Sequence, residues 1–397
     1  MEQLAIKGGK PVRDTQIYYG RQWIDEEDIQ AVETALRDRL ITCGPRVERL
    51  EQKLCEVTGA KYAVAVSNGT AALHTACMAL GIGPGDEVIT TPITFAASAN
   101  CARYCGATVV FADINPETYN INPKDIEKKI TPRTKAIVAV HFTGQSIEHD
   151  EIRALCDQHG IYLIEDAAHA IGTKYKGQPI GSIADVTCFS FHPVKTVTSG
   201  EGGAVTTNDE ALYKKLVLFH AHGITHDQAW MENEPEGHWY YEQIALGYNY
   251  RMTDFQAALL MSQLDKLPMF TERRKKIVDF YNEQLADVEE LILQKEIPES
   301  DTTRHLYIIQ LKLDKLTCTR REFFDAMSAE NVCCQVHYIP VYYFPYYRNL
   351  GYEKGLCPNA EKMYEGIMSI PLYPAMNAQD MQDVVRAVKK VIAAYRK

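Results

Sequence analysis

The chain of 397 residues lacks the features that mark several large classes of protein. It has no apolar run of about 18 residues, which a membrane-spanning helix would need. It has no basic run, and 42 lysines and arginines against 52 aspartates and glutamates give a formal net charge of −10. We therefore expect neither membrane insertion nor nucleic-acid binding. The opening MEQLAIKGGKPVRD has no apolar segment of the secretory-signal kind, so we expect a cytoplasmic protein.

Paired Cys-x-x-Cys motifs of the zinc-binding kind are also absent, although the chain has 11 cysteines. The cysteines are odd in number and scattered, and most of them stand in apolar runs. Such a pattern is typical of buried, reduced thiols in a cytosolic protein. We expect no metal site.

Short β-branched runs alternate with helical patterns between about residues 62 and 208. Most of these runs are almost continuously apolar, as in strands that helices cover on both faces of a mainly parallel sheet. This pattern predicts an α/β domain with seven strands. The predicted strands are YAVAVS from Tyr62, EVITT from Glu87, TVVFAD from Thr108, AIVAVH from Ala136, YLIEDAA from Tyr162, VTCFSF from Val186 and GAVTTN from Gly203.

The length favours one large domain and one smaller domain. We predict an N-terminal arm that contacts substrate over residues 1–25 and a large domain over residues 26–265. A smaller C-terminal α+β domain, with the strand HLYIIQLKL and a last helix from AQDMQ, is predicted over residues 266–397.

Three short segments combine into a candidate site. Asp166 ends the apolar strand YLIED, where ligands bind in open α/β sheets, although it could simply cap the next helix. Lys195 follows the strand VTCFSF in a glycine-rich loop, where it is either an ordinary solvated lysine or a lysine held in a cleft with a lowered pKa. The strand–turn–helix segment SNGTAALH places N–H groups where a phosphate could bind, but any strand–helix turn can look this way.

Together these segments suit pyridoxal 5′-phosphate (PLP). The aldehyde of PLP needs a lysine amine, its pyridine nitrogen needs a carboxylate, and its phosphate needs helix N–H groups. The 29 residues between Asp166 and Lys195 leave room for one helix and one strand of a βαβ unit.

The motifs SNGTAALH, PITFAASAN, EDAAHAIG, SFHPVKTVTSGEGG and GYNYRMTDFQAALL resemble the DegT/DnrJ/EryC1/StrS family of PLP-dependent sugar aminotransferases, which have the fold type I of PLP enzymes. The resemblance extends over nearly the whole chain. It implies that Lys195 bonds the cofactor, that Asp166 pairs with the pyridinium, and that His169 reaches the 3′-oxygen, at a position where the family often has glutamine. His169 could otherwise be a core histidine.

The resemblance also implies further contacts with the cofactor. Phe95 matches the residue that stacks on the pyridine ring, and otherwise would be a core residue. Asn249, or its neighbour Arg251, matches a residue that reaches the phosphate across a dimer interface, which implies a homodimer with shared sites. Gly69, Thr70 and Ser190 match ligands of the phosphate.

The stretches YYGRQ, SFHPVKTVTSGEGG and QVHYIPVYYFPYY resemble family members of the pseudaminic-acid pathway. This likeness implies a UDP-linked 2-acetamido-2,6-dideoxy-4-ketohexose as acceptor and L-glutamate as amino donor. A dTDP- or GDP-linked sugar is the alternative, and the many aromatic residues of VYYFPYY could simply pack a domain interface. The residues predicted to contact the substrate are Tyr19, Arg21, His192, His337 and Tyr338.

Three other functions are weighed against this one. The 3-dehydratases of the family carry histidine in place of the lysine at position 195, and a non-catalytic regulatory member could lose Lys195 or Asp166, whereas both residues are present here. A dinucleotide-binding protein would need a G-x-G-x-x-G motif after its first strand, and the chain has none there.

Overall fold

Helices and strands alternate through most of the chain in a computed structural model that describes residues 2–397. The strands are β1 (Tyr62–Val66), β2 (Glu87–Thr90), β3 (Thr108–Phe111), β4 (Thr134–Val140), β5 (Tyr162–Asp166), β6 (Lys174–Tyr175), β7 (Gln178–Pro179), β8 (Val186–Ser190), β9 (Gly203–Thr207), β10 (Ile224–Thr225), β11 (Glu242–Gln243), β12 (Leu291–Leu293), β13 (Ser300–Asp301), β14 (Tyr307–Leu311) and β15 (Ile367–Ile370).

The α-helices are α1 (Glu26–Leu36), α2 (Pro45–Thr58), α3 (Gly69–Ala79), α4 (Ala97–Tyr104), α5 (Pro123–Lys129), α6 (His149–His159), α7 (Glu210–His220), α8 (Asp254–Asp265), α9 (Leu267–Leu285), α10 (Arg320–Ala329), α11 (Pro345–Asn349), α12 (Pro358–Gly366) and α13 (Ala378–Tyr395). Single turns of 3-10 helix occur at Ala5–Lys7, Phe142–Gly144, Gln228–Trp230, Leu313–Lys315 and Val341–Tyr343. Within residues 2–397, none of the helices combines the length and the apolar character needed to cross a membrane.

Seven strands form one sheet in the order β1-β9-β8-β5-β4-β2-β3. The four neighbouring pairs from β8 to β3 are parallel, whereas β9 runs antiparallel to both β1 and β8. The strands are buried almost throughout, because helices cover both faces of the sheet. The α/β fold and all seven predicted strands are therefore confirmed.

The sheet places several chain turns at one edge. The parallel strands β5 and β8 are neighbours, with Asp166 opposite Cys188, so the residues that follow both strands emerge on the same side. Helix α3 starts next to them, because β1 pairs with β9 and β9 with β8. The side chain of Asn68 caps this helix by accepting from the N–H of Ala71.

A second core lies around the three-stranded sheet β12-β14-β15 and helices α9, α10 and α13. The N-terminal segment adds Leu4, Val12 and Ile17 to this core, and the N–H of Ile17 donates to the carbonyl of Asn331 at 2.9 Å. The segment before α1 is thus packed against the C-terminal part of the chain. The boundaries after residues 25 and 265 remain predictions.

Strands β10 and β11 form a short hairpin, and the polar segment that joins them contains Trp230 and Trp239. Two apolar side chains of this region are highly exposed to solvent: Trp239, between the two strands, is 74% exposed, and Leu246, just after β11, is 77% exposed.

Buried neutral histidines predict a loss of stability in acid. Burial lowers the pKa of His149, His169 and His305, and it lowers the pKa of His337 to about 4. The unfolded chain binds protons at these residues below about pH 6.5, whereas the folded chain does not, so stability is full above that pH and falls as the pH drops toward the folded values. His337 alone accounts for a loss of order 3 kcal/mol between its unfolded and folded pKa.

Urea unfolding of the apoprotein between about pH 5 and 8 measures this dependence. His305→Gln should reduce the slope of the unfolding free energy against pH below about 6.5, while the same change at the exposed His159 should leave it unchanged. An unaltered slope in His305→Gln would show that His305 is protonated in the folded protein.

Candidate active site

Asp166 is a buried carboxylate at the carboxyl end of β5. Its Oδ2 accepts from the Ser98 hydroxyl at 2.5 Å and its Oδ1 accepts from the N–H of Ala168 at 3.1 Å. Ser98 in turn lies 2.6 Å from the hydroxyl of Thr94. These donors offset the cost of burying the charge and fix the carboxylate in one orientation.

Ser98 was not singled out in the sequence, although a signal for it was present. It stands three residues after Phe95, in the same motif. A serine so close to the predicted stacking residue, in the motif PITFAASAN, could have been suspected of supporting the site.

Lys195 lies in the turn that follows β8. Its N–H donates to the carbonyl of His192 at 2.9 Å, and the turn closes where the N–H of Ser199 donates to the carbonyl of Phe191 at 3.0 Å. Burial lowers the pKa of the Lys195 amine to about 8, and the negative charge of Asp166 opposes this shift. A lysine with such a pKa is partly neutral near pH 7 and can exchange protons or attack a carbonyl.

The start of α3 and the end of β8 meet closely enough to form a phosphate cradle. A Cβ placed on Gly69 would lie 2.8 Å from the Cβ of Ser190, and one on Gly203 would lie 2.5 Å from the carbonyl oxygen of Asn68. Only glycine permits this approach. The first-turn N–H groups of Gly69 and Thr70 have no partner within the helix and can bind an anion together with the Ser190 hydroxyl.

His169 lies in the segment that follows β5. It is 5% exposed, its Nε2 lies 3.1 Å from the hydroxyl of Tyr338, and its ring centroid lies 4.4 Å from that of His305. Burial, reinforced by the charge of Lys195, holds the pKa of His169 well below its usual range. His305 was not predicted as a site residue, because its place depends on contacts between distant parts of the chain.

Tyr19 and His337 form a second group beside these residues. Their ring centroids lie 5.1 Å apart, and the carbonyl of Tyr19 accepts from the N–H of Leu372 at 3.0 Å. His337 Nδ1 lies 2.7 Å from the Ser369 hydroxyl, and burial lowers the pKa of His337 to about 4. His337 therefore offers a neutral ring to a ligand at pH 7 rather than a positive charge.

Four of the predicted site residues are exposed: Arg21, Phe95, His192 and Asn249. Within residues 2–397, Arg21 has no carboxylate partner at ion-pair distance, so its charge is free for a ligand. Asn249 follows the hairpin and forms a β-bridge with Ala221, and its side chain makes no hydrogen bond within the described chain. The structure thus joins Asp166, Ser98 and Lys195 at one sheet edge, and leaves these four open to solvent.

The donor set fits PLP. The site offers an amine of lowered pKa, a buried and oriented carboxylate, and a cradle that only glycines allow. It also contains the buried Nδ1 of His169, which has no hydrogen-bond partner within residues 2–397. Each of these groups corresponds to one functional group of the cofactor.

Comparison with known proteins agrees with this chemistry. The model of the DegT/DnrJ/EryC1/StrS aminotransferase family matches residues 22–389. The spore coat polysaccharide biosynthesis protein SpsC of Bacillus subtilis is 43% identical, over 94% of this chain and 96% of its own. The UDP-4-amino-4,6-dideoxy-N-acetyl-beta-L-altrosamine transaminase of Campylobacter jejuni (strain 81-176) is 39% identical, over 96% of this chain and 99% of its own.

Among solved structures, the PLP form of Spr1654 from Streptococcus pneumoniae has a TM-score of 0.88 at 30% identity, covering 96% of this chain and 99% of its own. The fold, the lysine–aspartate pair and the phosphate cradle thus coincide with similarity over almost the full length. The chain belongs to the DegT/DnrJ/EryC1/StrS aminotransferase family, and it is a PLP-dependent sugar aminotransferase.

Proposed function

We propose that the protein transfers an amino group from L-glutamate to a nucleotide-linked 4-keto-6-deoxy sugar. The observation that carries this proposal is that Lys195, whose pKa is lowered to about 8, and the buried carboxylate of Asp166 lie at the same sheet edge as a phosphate cradle. The acceptor we propose is UDP-2-acetamido-2,6-dideoxy-4-ketohexose, in the synthesis of precursors for pseudaminic-acid-type glycans. The name of the Campylobacter relative, a UDP-amino-sugar transaminase, supports this choice.

When bound, PLP supplies an electron sink for the pair of electrons that a broken C–H bond leaves behind. The chain's own part begins with Asp166. Its carboxylate, held by Ser98 and Ala168, provides the negative charge that keeps a ring nitrogen protonated. Gly69, Thr70 and Ser190 hold the phosphate and so fix the depth of the cofactor in the cleft.

Lys195 moves the proton. Near neutral pH a fraction of its Nζ is uncharged, and a free amine so placed takes the proton from the α-carbon of the amino donor. In the second half of the reaction the same Nζ delivers a proton to C4 of the sugar. Because the lysine stands on one side of the cleft, the proton arrives on one face of C4 and sets the configuration.

The sugar nucleotide is proposed to contact Tyr19, Arg21, His192, His337 and Tyr338. Arg21 is an exposed guanidinium with no carboxylate partner in the described chain, whereas burial keeps His337 neutral at pH 7. We therefore assign the diphosphate to Arg21 and hydrogen bonds with sugar hydroxyl or acetamido groups to the tyrosines and His337.

The working unit is proposed to be a homodimer with shared active sites. The hairpin of β10 and β11 exposes Trp239 and Leu246, which a partner would cover, and Asn249 follows that hairpin with its side chain free. In this arrangement Asn249, with Arg251 as the alternative, contacts the phosphate of the partner's cofactor. The 11 free cysteines support the proposal that the protein works in the reducing cytoplasm.

Removal of the Asp166 charge should slow the half-reaction with glutamate. Asp166→Asn should lower the rate by about tenfold to a hundredfold, because a charge-assisted contact of this kind contributes about 1.5–3 kcal/mol. Ser98→Ala, which removes only a donor to Asp166, should have a smaller effect in the same direction. Stopped-flow absorbance of the cofactor gives the rates.

Asp185→Asn is the matched control, because Asp185 accepts from the N–H of Leu163 near the other end of β5 and pairs with Arg153. It should keep the wild-type rate. A wild-type rate in Asp166→Asn would remove Asp166 from the role proposed here.

The shared site predicts complementation between two inactive variants. Lys195→Ala chains should be inactive, Asn249→Ala chains should lose most activity, and a mixture should recover up to about a quarter of wild-type activity, since half the dimers are hybrids with one intact site. Activity after refolding the two chains together is the measurement. Full activity of Asn249→Ala, or no recovery in the mixture, would refute the shared site.

The identity of the acceptor is tested with matched UDP-, dTDP- and GDP-linked 4-keto-6-deoxy sugars. We expect kcat/KM to be higher for the UDP-linked 2-acetamido sugar by at least about tenfold, the ratio that the loss of one or two hydrogen bonds produces. A higher value for a dTDP- or GDP-linked sugar without the acetamido group would overturn the acceptor and leave the transamination chemistry in place.

A further inference from the structure

Two buried histidines stand together near Lys195. His169 is 5% exposed and His305 is 4% exposed, and their rings are inclined by 40°. The Nδ1 atom of each ring has no hydrogen-bond partner within residues 2–397. A buried donor or acceptor without a partner costs about 1–3 kcal/mol, so an unpartnered nitrogen beside a ligand cleft indicates a contact that the ligand completes.

Burial also fixes the charge of both rings. Burial and the positive charge of Lys195 lower the pKa of His169 and His305, and Arg274 adds to the effect at His305. His337 and His141 are the other titratable groups that act on His169. A neutral imidazole carries one N–H, so the contact that His169 can offer depends on which nitrogen holds the proton.

The hydrogen bond with Tyr338 decides between the two nitrogens. If the tyrosine hydroxyl accepted from Nε2–H, its own proton would need another acceptor, and the structure contains none for it within residues 2–397. The bare Nδ1 would be unpartnered as well. If the hydroxyl donates to Nε2, only Nδ1–H lacks a partner, so the second arrangement leaves one fewer group unsatisfied. Burial raises the pKa of Tyr338, which keeps its hydroxyl protonated as this role requires.

We propose that Tyr338 is a positioning residue that fixes His169 in the Nδ1–H tautomer and thereby presents a hydrogen-bond donor to an acceptor oxygen of the bound cofactor. The inference rests on the proposed function, because it needs PLP in the cleft. It also narrows the role of Tyr338 toward the substrate: a hydroxyl that donates to His169 can still accept from a sugar hydroxyl, but it has no proton left for a diphosphate oxygen.

The surroundings of the pair hold it in place. The N–H of His305 donates to the carbonyl of Thr143 at 2.7 Å, and the carbonyl of His305 accepts from the buried guanidinium of Arg274 at 3.1 Å. The ring of Tyr338 lies nearly parallel to that of His169, at 6.2 Å and 20°. His169 thus contacts the rings of both His305 and Tyr338.

The test compares Tyr338→Phe in two backgrounds. With His169 present, the loss of the hydroxyl frees Nε2 to take the proton, and we expect the dissociation constant of PLP to rise by about five- to tenfold. In a His169→Gln background the amide donor does not depend on a tautomer, and the same change should raise the constant by less than about twofold. Titration of the apoprotein with PLP, followed by absorbance, gives the constants. Tyr307→Phe, whose hydroxyl bonds to Asn282 in the second core, is the control and should leave them unchanged.

A second measurement uses the wild-type protein and therefore does not depend on whether a Tyr338 variant folds. The ¹⁵N resonances of histidine-labelled wild-type apoprotein and holoenzyme, assigned by the loss of signals in His169→Gln, report which ring nitrogen carries the proton. Protonation at Nδ1 supports the inference, and protonation at Nε2 overturns it. Equal weakening by Tyr338→Phe in both backgrounds also overturns it. Failure of the wild-type protein to bind PLP would refute the proposed function itself.

Discussion

The burial of the Asp166 carboxylate is the constraint on which the site depends. A buried charge is tolerated only where donors surround it, so the end of β5 needs Ser98 from one direction and the N–H of Ala168 from another. The parallel neighbour β8 then brings the Lys195 loop to the same edge of the sheet. Burial disfavours the charged form of Lys195, and the negative charge of Asp166 opposes that effect.

A second buried charge joins the two cores around this site. Arg274 of α9 is 1% exposed and donates to the carbonyls of His305 and Leu372, both at 3.1 Å. Leu372 in turn binds the carbonyl of Tyr19 through its N–H. One guanidinium therefore fixes the backbone of the segments that carry His305 and Tyr19. The partners of this guanidinium are neutral carbonyl groups rather than a carboxylate. Because no negative charge in the described part of the chain compensates for burial, the pKa of Arg274 is lowered to about 10.

The sequence predicts best where the signal is local. Continuous apolar runs predicted all seven strands, and residues at strand ends pointed to Asp166 and Lys195, because a buried parallel strand has a distinctive composition. The contacts of Ser98 with Asp166 and of Tyr338 with His169 span 68 and 169 residues, so no short pattern contains them. The packing of the N-terminal segment into the second core was also missed, since isolated apolar residues such as Leu4 carry no periodicity.

Burial also decides which groups of the site carry charge. Near pH 7, desolvation keeps His169, His305 and His337 neutral, and it brings Lys195 close to the point where it can give or take a proton. Burial therefore brings the pKa of Lys195 toward neutrality and moves the pKa values of these three histidines away from it. In the arrangement that we propose, His169 acts as a hydrogen-bond donor through Nδ1–H, and a neutral ring can do so only in one tautomer. Burial keeps this ring neutral, and the proposed donation from the Tyr338 hydroxyl to Nε2 would select the tautomer.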